Sequence, residues 1–308
     1  MRSTRQTTNR VVMVRPARFC ANPETMASNR FQRSGHDVQS AQCAAEREFD
    51  DYVRVIRGSG VQVQVFHDTP ADQTPDSLFP NNWISLLHDG TIVTYPMEAL
   101  NRRRERKPAM IRRLMDDFRV GDVIDFSYLE QEEKYLEGTG AMVFDHENRV
   151  VYACLSSRCH PEAIEKVAAR LGYARVLFEA FDRDGHPIYH TNVMMSVGRT
   201  LAIVCLEAIV DARQRSEVIA SLEGDGKTLL AISHSQMEHF AGNVLELAGR
   251  DDQPVLAMST RAWSAFDPHQ QARLAAYAAI AKSPLDTIEE LGGGGARCMI
   301  AENFLPAA

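Results

Sequence analysis

The residues best suited to chemistry lie far apart in the chain. Cys298 follows the run "LGGGGAR" (291–297). Four glycines are entropically expensive to order, so the run is either a loose segment or backbone shaped around something. A cysteine attacks as its thiolate, which forms in an electropositive, partly exposed setting. Arg297 and the N–H groups of the loop can supply that setting, yet an inert buried thiol fits the same loop equally well. A nucleophile also needs an acid/base partner. His190, in "GHPIYHTNVMMSVG" (185–198), stands at the entrance to an apolar strand pattern. An imidazole there suits proton transfer near neutral pH, although a lone histidine is more often a hydrogen-bonded structural residue. The remaining histidines stand in polar or loop-like contexts, and none has a stronger claim.

Glu137 precedes a Gly-Thr-Gly turn in "YLEGTGAMVFD" (135–145). A carboxylate on a glycine turn can reach a ligand; a plain turn acid is the commoner outcome. Asn81 and Asn82 in "FPNNWIS" (79–85), and Asn192 in "YHTNV" (189–193), sit among apolar residues. There an amide is costly unless hydrogen-bonded. "CLSSRCH" (154–160) offers C-x4-C-H spacing. No second cysteine or histidine pair follows at finger spacing, so no metal site is expected.

Many short elements must hold these residues. Segments 10–16, 61–66, 90–97, 141–145, 149–155, 175–181, 191–198, 200–209, 228–233, 243–249 and 254–259 are β-branched and bounded by Gly, Pro, Asn or Asp, as buried strands are. Longer helical patterns cover 38–58, about 103–119, 161–171, 212–222 and 268–281. Pro161 and Pro268 suit a first helical turn, and Gly58 and Gly172 suit a C-terminal cap. The pattern repeats as strand, tight turn, strand, helix, short strand. "AMVFDHENRVVYACL" opens one unit, "TNVMMSVGRTLAIVCLEAI" the next, and "NVLELAGRDDQPVLAMS" a third that closes with "LDTIEEL". An earlier unit opens at "NNWISLLHDGTIVTYPM", and the N-terminal strand can pair with the last. Five such units in a ring make an α/β fold, a five-bladed αβ propeller. No linker composition interrupts the chain. One domain over 1–308 is expected, with 1–9 as a flexible N-terminus.

The 308 residues are 44% hydrophobic and carry a net charge of −7, with a pI near 5.8. No basic surplus exists to neutralise phosphates, so nucleic acid is not an expected partner. The one basic run, RRRERK (102–107), contains a glutamate and reads as a solvated helix face. The six cysteines are scattered, no apolar signal segment precedes them, and no stretch is long enough to span a membrane. The expectation is a cytoplasmic protein with reduced thiols and no membrane partner.

Together these motifs resemble the guanidino-group-modifying enzymes, the pentein superfamily. "GGGGARCM" is similar to the arginine deiminase cysteine motif, "LEGTG" to the family's Leu-Glu-Gly-Gly, "HTN" to its His-Leu-Asp, and "SSRCHPEAI" to its Glu-Arg-Thr segment. The resemblance implies Cys298 as nucleophile, His190 as general acid/base, Glu137 as a substrate-holding carboxylate and Arg158 as the grip on the substrate carboxylate. Enzymes acting on arginine carry two aspartates where this chain has Asn82 and Asn192. An aspartate offsets the desolvation of a guanidinium; an asparagine offers a donor and an acceptor, which suit a neutral ureido group. "MVRPARFCANPETMASNRFQ" (13–32) resembles a bacterial branch associated with citrulline use, which places Asn22, Asn29, Phe31 and Gln32 near the site, with Arg297 as a further substrate contact. The resemblance implies hydrolysis of citrulline to ornithine, carbon dioxide and ammonia, with no metal or organic cofactor and an amino-acid substrate as partner, and it allows a homodimer. Arginine deiminase or dimethylarginine hydrolase chemistry, amidinotransfer, and an inactive binding protein are the alternatives, in that order.

Overall fold

The computed structural model describes residues 4–26, 28–33 and 38–308. Its strands are short, and all fifteen fall into five three-stranded sheets. The second sheet shows the rule. Strand β3 (Ile84–Leu86) pairs antiparallel with β4 (Thr91–Thr94), and β4 pairs parallel with β5 (Asp122–Asp125). The antiparallel pair needs only a tight turn. The parallel pair needs a crossover, which the Pro108–Asp117 helix provides.

The same plan recurs three times. β6 (Val143–Asp145), β7 (Val150–Cys154) and β8 (Ala174–Phe178) use the Pro161–Leu171 helix. β9 (Met195–Val197), β10 (Leu201–Val204) and β11 (Thr228–Ala231) use Ala212–Gly224. β12 (Leu245–Ala248), β13 (Pro254–Ser259) and β14 (Ala279–Ser283) use Pro268–Tyr277. The remaining sheet joins the two ends of the chain. β1 (Arg10–Arg15) runs parallel to β2 (Gln62–His67) across the Val38–Gly58 helix, and its other edge takes β15 (Ala301–Glu302) antiparallel. Five ββαβ units thus share one pattern, one of them split between the termini.

Each crossover helix buries one face. Val38–Gly58 turns Ala41, Ala45, Phe49, Tyr52, Val53 and Ile56 inward, the i, i+4, i+8 stripe of a surface helix. Pro161–Leu171 begins with proline and ends on left-handed Gly172, as its sequence signals predict. No helix among the described residues is long and apolar enough to cross a membrane.

Three expectations need correction. The N-terminus is not loose over its described part. Gln6 is buried and donates to Phe144 O and Val197 O, and Thr8 donates to Asn303 O; residues 1–3 lie outside the described residues. The last unit closes with Ala279–Ser283 rather than "LDTIEEL", because the alanine-rich pattern that favours helix yields to parallel pairing with β13. Residues 288–292 instead form a π-helical turn leading into the glycine run. The RRRERK run is not a solvated face either. Arg102 and Glu105 are buried together, paired at 3.0 Å, and Arg106 pairs with Glu130.

Candidate functional site

One small cavity collects residues from all along the chain. Asn29, Asp76, Phe79, Asn82, Arg102, Arg158, Tyr189, His190, the glycines 292–294 and Cys298 line it. The units deliver these residues at equivalent places. Asn82 sits in the turn before β3, Glu137 at the turn before β6, and Asn192 in the turn before β9. Asn243 precedes β12, and Cys298 lies in the turn before β15. The expected strand over 191–198 therefore begins as the helical turn Thr191–Met194, which carries Asn192.

The glycine run is ordered and buried. At Gly293 the backbone is left-handed (φ 63°), and a Cβ there would meet Asn29 and Gln32 at 2.5–2.8 Å. Only glycine tolerates both conditions. Cys298 comes out of this loop with two amides on its sulfur. Asn243 Nδ2 donates to Sγ at 3.2 Å and Asn192 Nδ2 at 3.4 Å. Asn243 is itself fixed: it donates to Asn192 O and accepts the Arg297 N–H at 3.1 Å. Burial pushes the Cys298 thiol up. The Asn243 bond, the Arg297 charge and the Asn192 bond partly offset that rise.

His190 is held from behind. Its Nε2 lies 2.9 Å from Glu137 Oε2, which leaves Nδ1 as the basic nitrogen when Nε2 carries the proton. A Cβ at Gly140 would strike Asn82 Nδ2 at 2.3 Å and His190 Nδ1 at 2.7 Å, so that glycine lets the two side chains come together. Burial holds His190 down, at about 4, against the raising pull of Glu137. The free site thus carries a neutral thiol and a neutral imidazole near pH 7.

Glu137 is fully buried and does not line the cavity. Burial opposes its charge, but Arg158, His190 and Arg102 hold its carboxyl well below the ordinary range. Arg102 Nη1 lies at 3.3 Å and Arg158 Nη1 at 3.5 Å from Oε2. Its Oε1 accepts the Glu98 N–H at 3.2 Å, so in this geometry its contacts are His190, two arginines and one backbone N–H. Arg158 also reaches the 19–33 segment, donating to Ser28 Oγ at 2.8 Å and to Thr25 O at 3.3 Å. That segment closes the cavity. Gln32 donates to Gly292 O at 3.0 Å, Asn29 to Gly293 O at 3.3 Å, and Phe31 packs on Tyr189 and Phe240.

The structure therefore brings together Cys298, His190, Asn82, Asn192 and Arg158, with Glu137 directly behind. Three expected substrate contacts fall elsewhere. The Arg297 side chain leaves the Cys298 cavity for a separate small one, where it faces Glu302 at 3.4 Å; the Asn243 bond to its backbone N–H turns the chain that way. Asn22 lies one layer back and ties Asp76 to Asn101. Gln32 braces the glycine loop, and Asn29 takes the place at the cavity. Asp76, Arg102, Tyr189 and Asn243 had no signal of their own in the sequence. Arg102 was concealed by its cationic neighbours, and Asn243 by an apolar strand pattern.

The family described as N,N dimethylarginine dimethylhydrolase, eukaryotic, matches residues 15–305. No curated protein matches the chain. Among solved structures, the N-terminal domain of ArgZ, an arginine dihydrolase from the ornithine-ammonia cycle in cyanobacteria, is similar at TM-score 0.74 and 18% identity. That likeness was found with a substrate-bound mutant and covers 96% of this chain and 99% of that one. Unliganded AgrE is similar at TM-score 0.76 and 16% identity, over 97% of this chain and 40% of AgrE. The chain likewise spans 41% of full-length ArgZ. A dimethylarginine hydrolase (DDAH) from Pseudomonas aeruginosa, complexed with citrulline, is similar at TM-score 0.64 and 13% identity, over 96% of this chain and 99% of that one. These likenesses show the shared mixed α/β fold. With the family match running through nearly the whole chain, this protein belongs to the N,N dimethylarginine dimethylhydrolase family of the guanidino-group-modifying, or pentein, superfamily.

Proposed function

We propose that the protein is a cysteine-dependent hydrolase of a ureido C–N bond, with citrulline as its substrate. One observation carries this reading. Asn82 Nδ2 is buried in a residue that lines the Cys298 cavity, and it has no hydrogen-bond partner among the described residues. A buried donor without a partner costs about 1–3 kcal/mol, which a substrate acceptor would relieve. A ureido carbonyl is such an acceptor; a guanidinium presents only donors. Asn192, beside Sγ, is equally uncharged. A cation buried between the two would lack a paired charge there.

In this reading His190 takes the Cys298 proton as Sγ adds to the ureido carbon. Asn82 meets the carbonyl oxygen as it gains charge. His190 gives the proton to the departing amine, leaving a carbamoyl thioester on Cys298. Water, deprotonated by His190, hydrolyses that thioester, and the carbamic acid breaks down with loss of carbon dioxide. Citrulline plus water thereby gives ornithine, carbon dioxide and ammonia. Arg158, Arg102 and Asp76 match the charges of an α-carboxylate and an α-ammonium. The five units close as a single-domain five-bladed propeller around this cavity, in an enzyme of the cytoplasm.

The second reading is a hydrolase of arginine or dimethylarginine. The family description and the likeness to ArgZ favour it, and it uses the same residues. Incubation with citrulline, arginine and methylated arginines, followed by mass spectrometry, separates the two. Ornithine from citrulline supports the proposal; turnover of the guanidino compounds alone overturns it. Replacing Cys298 with alanine should abolish every turnover observed.

A further inference from the structure

Outside this cavity, two clusters among the described residues bring metal-ligating atoms together: Cys205, Glu207 and His234, and Asp182, Asp184 and His186. The second has only oxygen and imidazole donors, and Asp182 is committed to the N–H groups of Asp184 and His186 in its own loop. The first is built differently. β10 and β11 run parallel, with Val204 opposite Ala231, so both strands end at the same edge. Cys205 leaves the end of β10 and His234 follows the end of β11. Their ligand atoms and one carboxylate oxygen of Glu207 lie within 4.8 Å of one another.

The partners of these atoms make the case. His234 Nδ1 is buried and has no hydrogen-bond partner among the described residues. Glu207 Oε1 is engaged by the backbone N–H of His234, which orients the carboxylate as outer contacts orient metal ligands and leaves Oε2 free. Cys205 is anchored by its own N–H on Met194 O at 2.9 Å. Sulfur, imidazole and carboxylate bound tetrahedrally to one zinc ion would stand roughly 3.4–3.6 Å apart. Glu207 is exposed, so its carboxylate can turn Oε2 toward the ion while Oε1 keeps the His234 N–H. A mixed S, N, O set favours a borderline-soft ion over calcium or magnesium.

We propose that Cys205, Glu207 and His234 form a zinc site that staples the ends of β10 and β11, remote from the Cys298 reaction and independent of it. As the sulfur–zinc bond forms, the Cys205 thiol releases its proton to solvent; a water completes the fourth position.

Titration of the metal-free protein with zinc, and with cobalt as a spectroscopic probe, tests this. Wild type and Cys298→Ser should each bind one equivalent and show the sulfur-to-cobalt charge-transfer band. Cys205→Ser and His234→Ala should lose both. Glu207→Gln, which leaves the interior untouched, should weaken zinc binding about tenfold or more with an unchanged melting temperature in the metal-free form. Absence of binding in wild type overturns the site. So does binding that survives Cys205→Ser and disappears in Cys298→Ser, which would put the metal on the other thiol.

Discussion

His190 and His146 are buried almost equally, at 2% and 5% exposure, yet they sit in different surroundings. His146 stacks on Phe144 with rings 5° from parallel, meets Phe304 edge-on, and bonds Tyr173 Oη through Nδ1 at 2.8 Å. His190 leans on a carboxylate clamped by two arginines and faces a cavity. Burial drives both imidazoles to the neutral form, at about 3 and about 4. A depressed basicity therefore does not mark function here. What differs is the partner: aromatic rings and a neutral phenol hold His146 without a counter-charge, whereas an anion lets an imidazole accept a proton during a reaction.

Breaking the comparison outright gives the largest effect. His190→Ala should reduce citrulline turnover by about 10²–10⁴-fold. His146→Ala should retain turnover and lose about 1–3 kcal/mol of stability. Product formation and urea unfolding, measured on both variants, check this; a folded His146→Ala protein without activity would remove the distinction.

The anion comes next. Glu137→Gln keeps the shape but leaves Arg102 and Arg158 without their shared counter-charge. Breaking such a buried cluster costs about 3–5 kcal/mol. A urea midpoint unchanged from wild type would mean the arginines are satisfied elsewhere.

A third effect, about tenfold, concerns the thiol. Asn243→Ala removes the shorter of the two amide bonds to Sγ. The Cys298 thiol should then rise further, and its alkylation near neutral pH should slow by about tenfold, one pKa unit. Peptide mass spectrometry distinguishes it from exposed Cys43. An unchanged alkylation rate would make Asn192 the amide that matters.

Much of this was legible before the structure. The helix over 38–58 and the strand at 254–259 emerge where periodicity puts them, because each combines a clear pattern with clean boundaries. Residues 122–125 and 279–283 carry no such pattern. "DVID" is largely exposed and "AIAKS" follows a helix-forming run, so only pairing with a neighbour makes them strands. The site divides in the same way. Cys298, His190 and Glu137 stand in local motifs with a reason to exist. Arg102 and Asp76 gain meaning only from Glu137 and Asn22, which lie tens of residues away. Arg297, adjacent to the cysteine in sequence, has its guanidinium in another cavity, because successive residues in the turn point in different directions.

The smallest effect sharpens the two-histidine comparison through pH. His146 falls from an ordinary 6.5 to about 3 on folding. Between those values the unfolded chain binds a proton that the folded one does not, so stability is fully present above 6.5 and is lost as pH falls. Over the single step from pH 6.5 to 5.5 the loss attributable to His146 is about 1 kcal/mol. His190 has the same sign and adds its own share over that step. A His146→Gln variant should therefore lose about 1 kcal/mol less than wild type over this interval, while its turnover follows the wild-type pH profile. Equal losses in both proteins would show that His146 takes up its proton in the fold as it does in the unfolded chain, and the contrast with His190 would then rest on geometry alone.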